Sequence, residues 1–220
     1  MIQPITRKHV IPIVVMTFLP LASMINATGT RLSCPSPEQL QSEWIQSNFN
    51  ESKMEGFWYE LAMKDITQPR LCKCSTSNKT VRTDLSTIYD TFTIECFGQA
   101  YPSDLSFELT GKPGIMAGTW NGIPLVSRLQ FPNTIVDVGV NNITGEYEWM
   151  IEFQCIQKPR FGGREKLKFY AFNFYSREYA SMEDRIRLME QKARERGLGP
   201  FIDTGRSLAI IDHTNCTAGH

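Results

Sequence analysis

The chain has 220 residues, 41% of them hydrophobic and 21% charged, within the ordinary range for a globular protein of one domain with extensions. Its 23 Lys and Arg balance its 23 Asp and Glu, so the formal net charge is zero. A neutral chain without a dense basic run lacks the electrostatic footprint of a nucleic-acid binder, and no nucleic-acid partner is expected.

The N-terminus is distinctive. Arg7 and Lys8 precede an apolar run from Val10 to Ala22, and small residues follow at Ala27 and Gly29. A basic start, a short apolar stretch and a small-residue exit read as a secretory signal peptide over residues 1–29, cleaved after Ala27 or Gly29. The alternative is an uncleaved anchor. The run is short for a membrane span and is interrupted by Pro12 and Pro20, so no stable membrane insertion is expected.

Residues 30–55 read as an arm, with a short helical pattern around Glu38 to Gln46. The folded unit then spans 56–216, and 217–220 is a tail. It starts with GFWYELAMKD, Gly56 to Asp65. The following segments alternate apolar and polar residues: TFTIECF from Thr91, LSFELTG from Leu105, GIPLVSRLQF from Gly122, TIVDVGV from Thr134, EYEWMIEFQC from Glu146 and KLKFYAFNFY from Lys166. Expected breaks fall at Pro102–Asp104, Lys112–Gly114, Pro132–Asn133, Asn141–Asn142 and Gly162–Gly163. Many short strands with such turns predict an all-β sandwich or barrel.

One helix is predicted over 181–196. Ser181 to Asp184 reads as a capping box, Met182, Ile186, Met189 and Ala193 share a face, and Gly197 supplies the stop. A last strand covers Ser207 to Asp212.

Six cysteines, Cys34, Cys72, Cys74, Cys96, Cys155 and Cys216, suit three disulfides in an oxidising compartment. They lack zinc spacing with the three histidines, so neither a metal site nor a cofactor is expected. Glycosylation sequons begin at Asn50, Asn78 and Asn142; Asn26 would leave with the signal, and the sequon at Asn215 contains Cys216.

This order resembles the lipocalin family. Gly56-Phe57-Trp58-Tyr59 resembles its G-x-W-Y signature on the first strand. Thr144-Gly145-Glu146 stands where the family has T-D-Y, and Ser176-Arg177 resembles the third signature, the arginine before the helix. Members of the apolipoprotein D and plasma retinol-binding type look nearest, and Cys34-Pro35-Ser36-Pro37 and Asp212 to Cys216 resemble the two ends of the apolipoprotein D type. The resemblance implies an eight-stranded up-and-down antiparallel β-barrel, with one C-terminal amphipathic helix packed outside. It implies that Trp58 plugs the closed end beneath Arg177, a cation–π contact, with Gly56 allowing close entry of the chain. It implies Cys34–Cys155 and Cys72–Cys216, leaving Cys74 with Cys96; exchange of Cys72 and Cys74 stays open.

Function follows from what lines such a cup. By resemblance, Met150, Glu152 and Gln154 point inward from one strand, and Leu167, Phe169, Ala171, Asn173 and Tyr175 from the next. The complementary set would put Phe172 and Phe174 beneath the helix. Apolar walls with a few polar groups suit a small lipophilic ligand. Glu152 and Asn173 are candidates to hydrogen-bond its polar group, Glu152 having no evident cation and a raised pKa; the alternative places Glu152 near the mouth, in water. The expected function is a secreted carrier of such a ligand, without catalysis. The alternatives are an interaction module, with Trp120 in a loop as an anchor, or an enzyme using the cavity, for which either a free cup thiol or an acidic partner for Glu152 would be needed; the even cysteine count and the lack of an evident partner speak against both. A cell-surface receptor is the further partner that the resemblance allows.

Overall fold

The computed structural model describes residues 32–121, 130–159 and 165–217. The expected signal peptide and most of the segment from Gly122 lie outside them. Two short helices, α1 (Pro37–Leu40) and α2 (Glu43–Asn48), replace the one helical patch expected in the arm. Ser42 caps α2, its hydroxyl accepting from the Ile45 amide at 3.1 Å.

The strands are β1 (Gly56–Lys64), β2 (Lys73–Arg82), β3 (Thr87–Cys96), β4 (Gln99–Leu109), β5 (Ile115–Trp120), β6 (Gln130–Val140), β7 (Tyr147–Pro159), β8 (Glu165–Ser176) and β9 (Ala209–Ile210). From β1 to β8 each pairs antiparallel with its chain neighbour, and β1 pairs with both β2 and β8. That closes an eight-stranded up-and-down barrel, which leaves no barrel edge unpaired. β9 adds outside, against Ala62 and Met63.

Three sequence expectations change here. Pro102 and Pro132 do not break strands: Pro102 lies within β4 opposite Thr93, and Pro132 within β6 opposite Ala117. Each proline removes only its own N–H from the ladder, and long flanking pairings hold the rest. Trp120 is not in a loop but ends β5, opposite Leu105.

Alternation sorts the side chains. Trp149, Ile151, Phe153, Phe172 and Phe174 point out of the barrel and pack with Ile186, Met189 and Ala193 of α3 (Met182–Ala193). Burying each such side chain contributes about 1.5–3 kcal/mol. The helix differs from expectation at both ends. Ser181 adopts φ +55° and makes no side-chain cap bond, so the capping box does not form. After Ala193 the chain widens into a π-type turn, reverses at Gly197 (φ +83°) and continues as α4 (Gly199–Asp203). Lys64 Nζ donates to the carbonyls of Phe201, Ile202 and Thr204 at 2.6–2.7 Å, capping that end with a cation. Its burial lowers the Lys64 pKa to about 8.

All six cysteines are paired, as Cys34–Cys155, Cys72–Cys96 and Cys74–Cys216. The expected partners of Cys72 and Cys74 are therefore exchanged. The reason is an irregularity in β2: the register to β3 shifts between Lys73 and Thr76, and Cys74 sits at φ +55°. Its amide turns out of the ladder and donates to Asp212 O at 2.8 Å, which carries its sulfur to the C-terminal segment. Cys72 is left beside Cys96, with Cα atoms 4.4 Å apart.

Candidate functional site

The closed end is built first. Trp58 is fully buried, its Nε1 donating to Met54 O at 2.8 Å. The Arg177 guanidinium carbon lies 3.7 Å from the centroid of its ring. Arg177 also donates to the carbonyls of Phe57 (2.8 Å), Lys53 (3.1 Å) and Glu55 (2.7 Å), tying the arm across the barrel floor. Gly56 enters at φ +95°, and a Cβ there would come within 3.2 Å of Arg177 Nη1. At the 141–146 turn Gly145 takes φ +73°, and its carbonyl accepts from Lys53 Nζ at 2.6 Å. Gly145 thus serves the turn's own geometry.

Above the plug, the interior is layered. The lowest layer is apolar: Ile88, Phe107, Met116, Ile135, Met150 and Tyr175 pack with Trp58. One inward step toward the mouth, the character inverts. Lys79 of β2 is fully buried and binds Asp90 of β3 at 2.7 Å and Glu152 of β7 at 3.3 Å. Ser77 donates to Asp90 at 2.7 Å, and Asn133 to Glu152 at 3.3 Å. The Lys79 ammonium lies 5.2 Å from the Phe107 ring centroid and 5.3 Å from that of Tyr175. On the other wall, Glu60 of β1 accepts from Asn173 at 2.7 Å and from Gln68 at 2.6 Å, and Gln68 also donates to Ser75.

Burial sets the electrostatics. Desolvation raises the Glu60 pKa to about 7, against the pull of its amide donors. It also raises that of Glu152, with Lys79 pulling it back. Lys79 is itself raised, because Asp90 and Glu152 outweigh its own desolvation. The Tyr175 phenol is pushed well above its usual range by burial, with nearby carboxylates adding to the effect.

The third layer, toward the mouth, is a half-buried apolar ring: Phe92, Leu105 and Ile156 pack on the interior cluster, and Phe169 pairs with Ile156. Gln154 and the small, buried Ala171 face each other just below it.

The sequence-derived residues Met150, Glu152, Gln154, Phe169, Ala171, Asn173 and Tyr175 all lie on the β7–β8 wall in paired register, but at different heights. The Leu167 side chain lies outside the described residues. Two expectations about Glu152 are corrected: it has a cation, Lys79, and at 2% exposure it is not at the mouth. Glu60, Lys79, Asp90, Gln68 and Asn133 are missing from the sequence-derived set. β2 reads KCSTSNKTVR, polar on both faces, so its periodicity does not distinguish an inward lysine from an outward one.

No family model matches this sequence, and no curated protein matches it either. Among solved structures, the chain is similar to apocrustacyanin C1 at 13% identity and TM-score 0.58, over 84% of this chain and 91% of that one. It is similar to apocrustacyanin C2 at 11% identity and TM-score 0.59, over 90% of this chain and 96% of that one. Lobster apocrustacyanin A1 aligns at 10% identity and TM-score 0.59, over the same shares. These likenesses are of fold. The closed eight-stranded barrel with its outer C-terminal helix is the lipocalin fold.

Proposed function

We propose that the protein is a secreted carrier, which holds a small lipophilic molecule in the open half of the barrel and does no chemistry on it. The observation that carries this reading is the half-buried ring of Phe92, Leu105, Ile156 and Phe169 above a polar layer. Apolar walls over a few polar anchors are the make-up of a small-molecule site. Secretion is supported by the apolar leader, by three disulfides and by the exposure of Asn50, Asn78 and Asn142, all candidates for glycosylation. With every cysteine paired, a thiol-based reaction in the cup has no nucleophile.

The test is binding of a fluorescent lipophile to the oxidised chain, with Ile156→Lys as the comparison. Saturable binding at one site per chain, weakened at least tenfold by the lysine, is expected. Binding indifferent to Ile156→Lys would contradict the reading.

A second reading has one observation behind it. Ile66, Leu71 and Phe97 are 62%, 85% and 89% exposed, and Leu71 and Phe97 flank the Cys72–Cys96 disulfide at the open end. Exposed apolar side chains held on a rigid staple suit a protein partner. Trp120, set within β5, does not supply that anchor.

A further inference from the structure

The middle layer of the barrel is rich in acceptors and short of donors. Glu60, Asp90 and Glu152 are 0%, 3% and 2% exposed, and Lys79 is the one cation facing them among the described residues. Lys79 is committed to Asp90 and Glu152. Glu60 makes no ion pair among the described residues and is held by amide N–H groups from Asn173 and Gln68. Two further acceptors in the layer, Asn173 Oδ1 and Asn133 Oδ1, are buried and accept no hydrogen bond. A buried acceptor without a donor is costly, and rare enough in folded proteins to require a cause.

Asn173 is the pivotal residue. Its amide nitrogen donates to Glu60, its register partner across β7 and β8 is Glu152, and its oxygen is buried without a donor. At 5% exposure it retains a little open surface, whereas Glu60 behind it is sealed. Above it stand Ala171, with almost no side chain, and then Phe169 and Ile156. A group reaching down the cup along β8 therefore passes apolar walls and meets an unfilled acceptor in a negative field. Across the barrel the unpartnered polar atom is a donor, Trp120 Nε1, but that lies on β5 at its mouth end.

We propose that the carried molecule is a lipophilic amine, whose protonated nitrogen donates to Asn173 Oδ1 and whose apolar body lies in the Phe92, Leu105, Ile156 and Phe169 ring. This rests on the carrier reading and specifies its ligand. An ammonium supplies three donors and no acceptor, the complement of this layer. Glu60 and Glu152 supply its counter-charge through the low-dielectric interior. A fatty carboxylate would bring another negative charge and another acceptor to the same place, and an alcohol supplies one donor without charge.

The test uses three probes with one chain length, decylamine, decanol and decanoic acid, titrated calorimetrically at neutral pH into the full oxidised protein. Decylamine is expected to bind at least tenfold more tightly than decanoic acid, which is about 1.4 kcal/mol, and more tightly than decanol. Glu60→Gln, which keeps the shape and removes the charge, is expected to reduce the amine-over-alcohol preference at least fivefold. Asn173→Leu, which removes the acceptor itself, is expected to weaken decylamine at least fivefold, and decanol, which loses one neutral hydrogen bond, by less. Decanol or decanoic acid binding as well as decylamine would overturn the amine and leave the carrier standing. A preference unchanged in Glu60→Gln would also overturn it. If none of the three probes binds, the carrier reading fails together with the amine.

Discussion

Replacing Glu60 by glutamine should flatten part of the protein's pH–stability profile. Burial raises the Glu60 carboxyl from an ordinary 4.5 to about 7, while bonds from Asn173, Gln68 and Ser75 restrain the rise. Between those two values the folded chain keeps a proton that the unfolded chain has released. The unfolded state therefore gains stability relative to the native one as pH rises through this window. Each pH unit is worth about 1.36 kcal/mol, so the loss from pH 4.5 to 7.5 is about 3 kcal/mol. Full burial means that solvent screening does not discount it. Urea unfolding of the disulfide-intact protein and of Glu60→Gln at pH 4.5, 5.5, 6.5 and 7.5 measures the difference. Groups that titrate alike in both proteins cancel. The advantage of wild type over the variant should shrink by about 3 kcal/mol across the series. A difference constant to about 0.5 kcal/mol, well inside that change, would refute the buried, cation-free placement of Glu60.

The other predictions concern the charged layer, the plug and the staples. Lys79→Met strands Asp90 and Glu152 and should cost about 3–5 kcal/mol at pH 7.5. The cost should fall as pH is lowered to 5 and the stranded Glu152, whose pKa burial already raises, takes up a proton; thermal unfolding at both pH values checks the sign. Arg177→Ala removes four side-chain bonds to carbonyls, of Phe57, Lys53, Glu55 and Tyr147, and the contact with Trp58, and should lower stability by about 3 kcal/mol. Arg177→Lys should recover less than half of that in urea unfolding, because one ammonium does not reach all four carbonyls. Tryptic cleavage after Lys73 puts Cys72 and Cys74 on separate peptides, so non-reducing mass spectrometry should find Cys72 linked to Cys96 and Cys74 to Cys216. A peptide joining Cys72 to Cys216 would contradict the β2 irregularity.

The architecture was legible where one face of an element is apolar and the other is not. β7 and β8 alternate so regularly that two faces separate, and the lipocalin resemblance then assigned Met150, Glu152, Asn173 and Tyr175 to the inner one, leaving Phe172 and Phe174 for the helix. The same logic has no purchase on β2, where both faces are polar and the inward lysine is indistinguishable from its neighbours. It also fails at Cys74, because one irregular residue changes which cysteine faces which strand, and no periodicity records it. Pro102 and Pro132 read as breaks because local turn chemistry was weighed without the long cross-strand pairings that override it. The charged layer as a whole was illegible for a related reason. Lys79, Asp90 and Glu152 come from three strands, and only barrel closure brings them within bonding distance.

The central claim is that the open half of the barrel carries a lipophilic molecule. Native mass spectrometry of the protein purified from its own secretory source, before and after organic extraction, tests it most directly. The account predicts an added mass that extraction removes, on a chain holding three intact disulfides. A protein that arrives bare from that source, with its three disulfides intact and no mass lost on extraction, would contradict it.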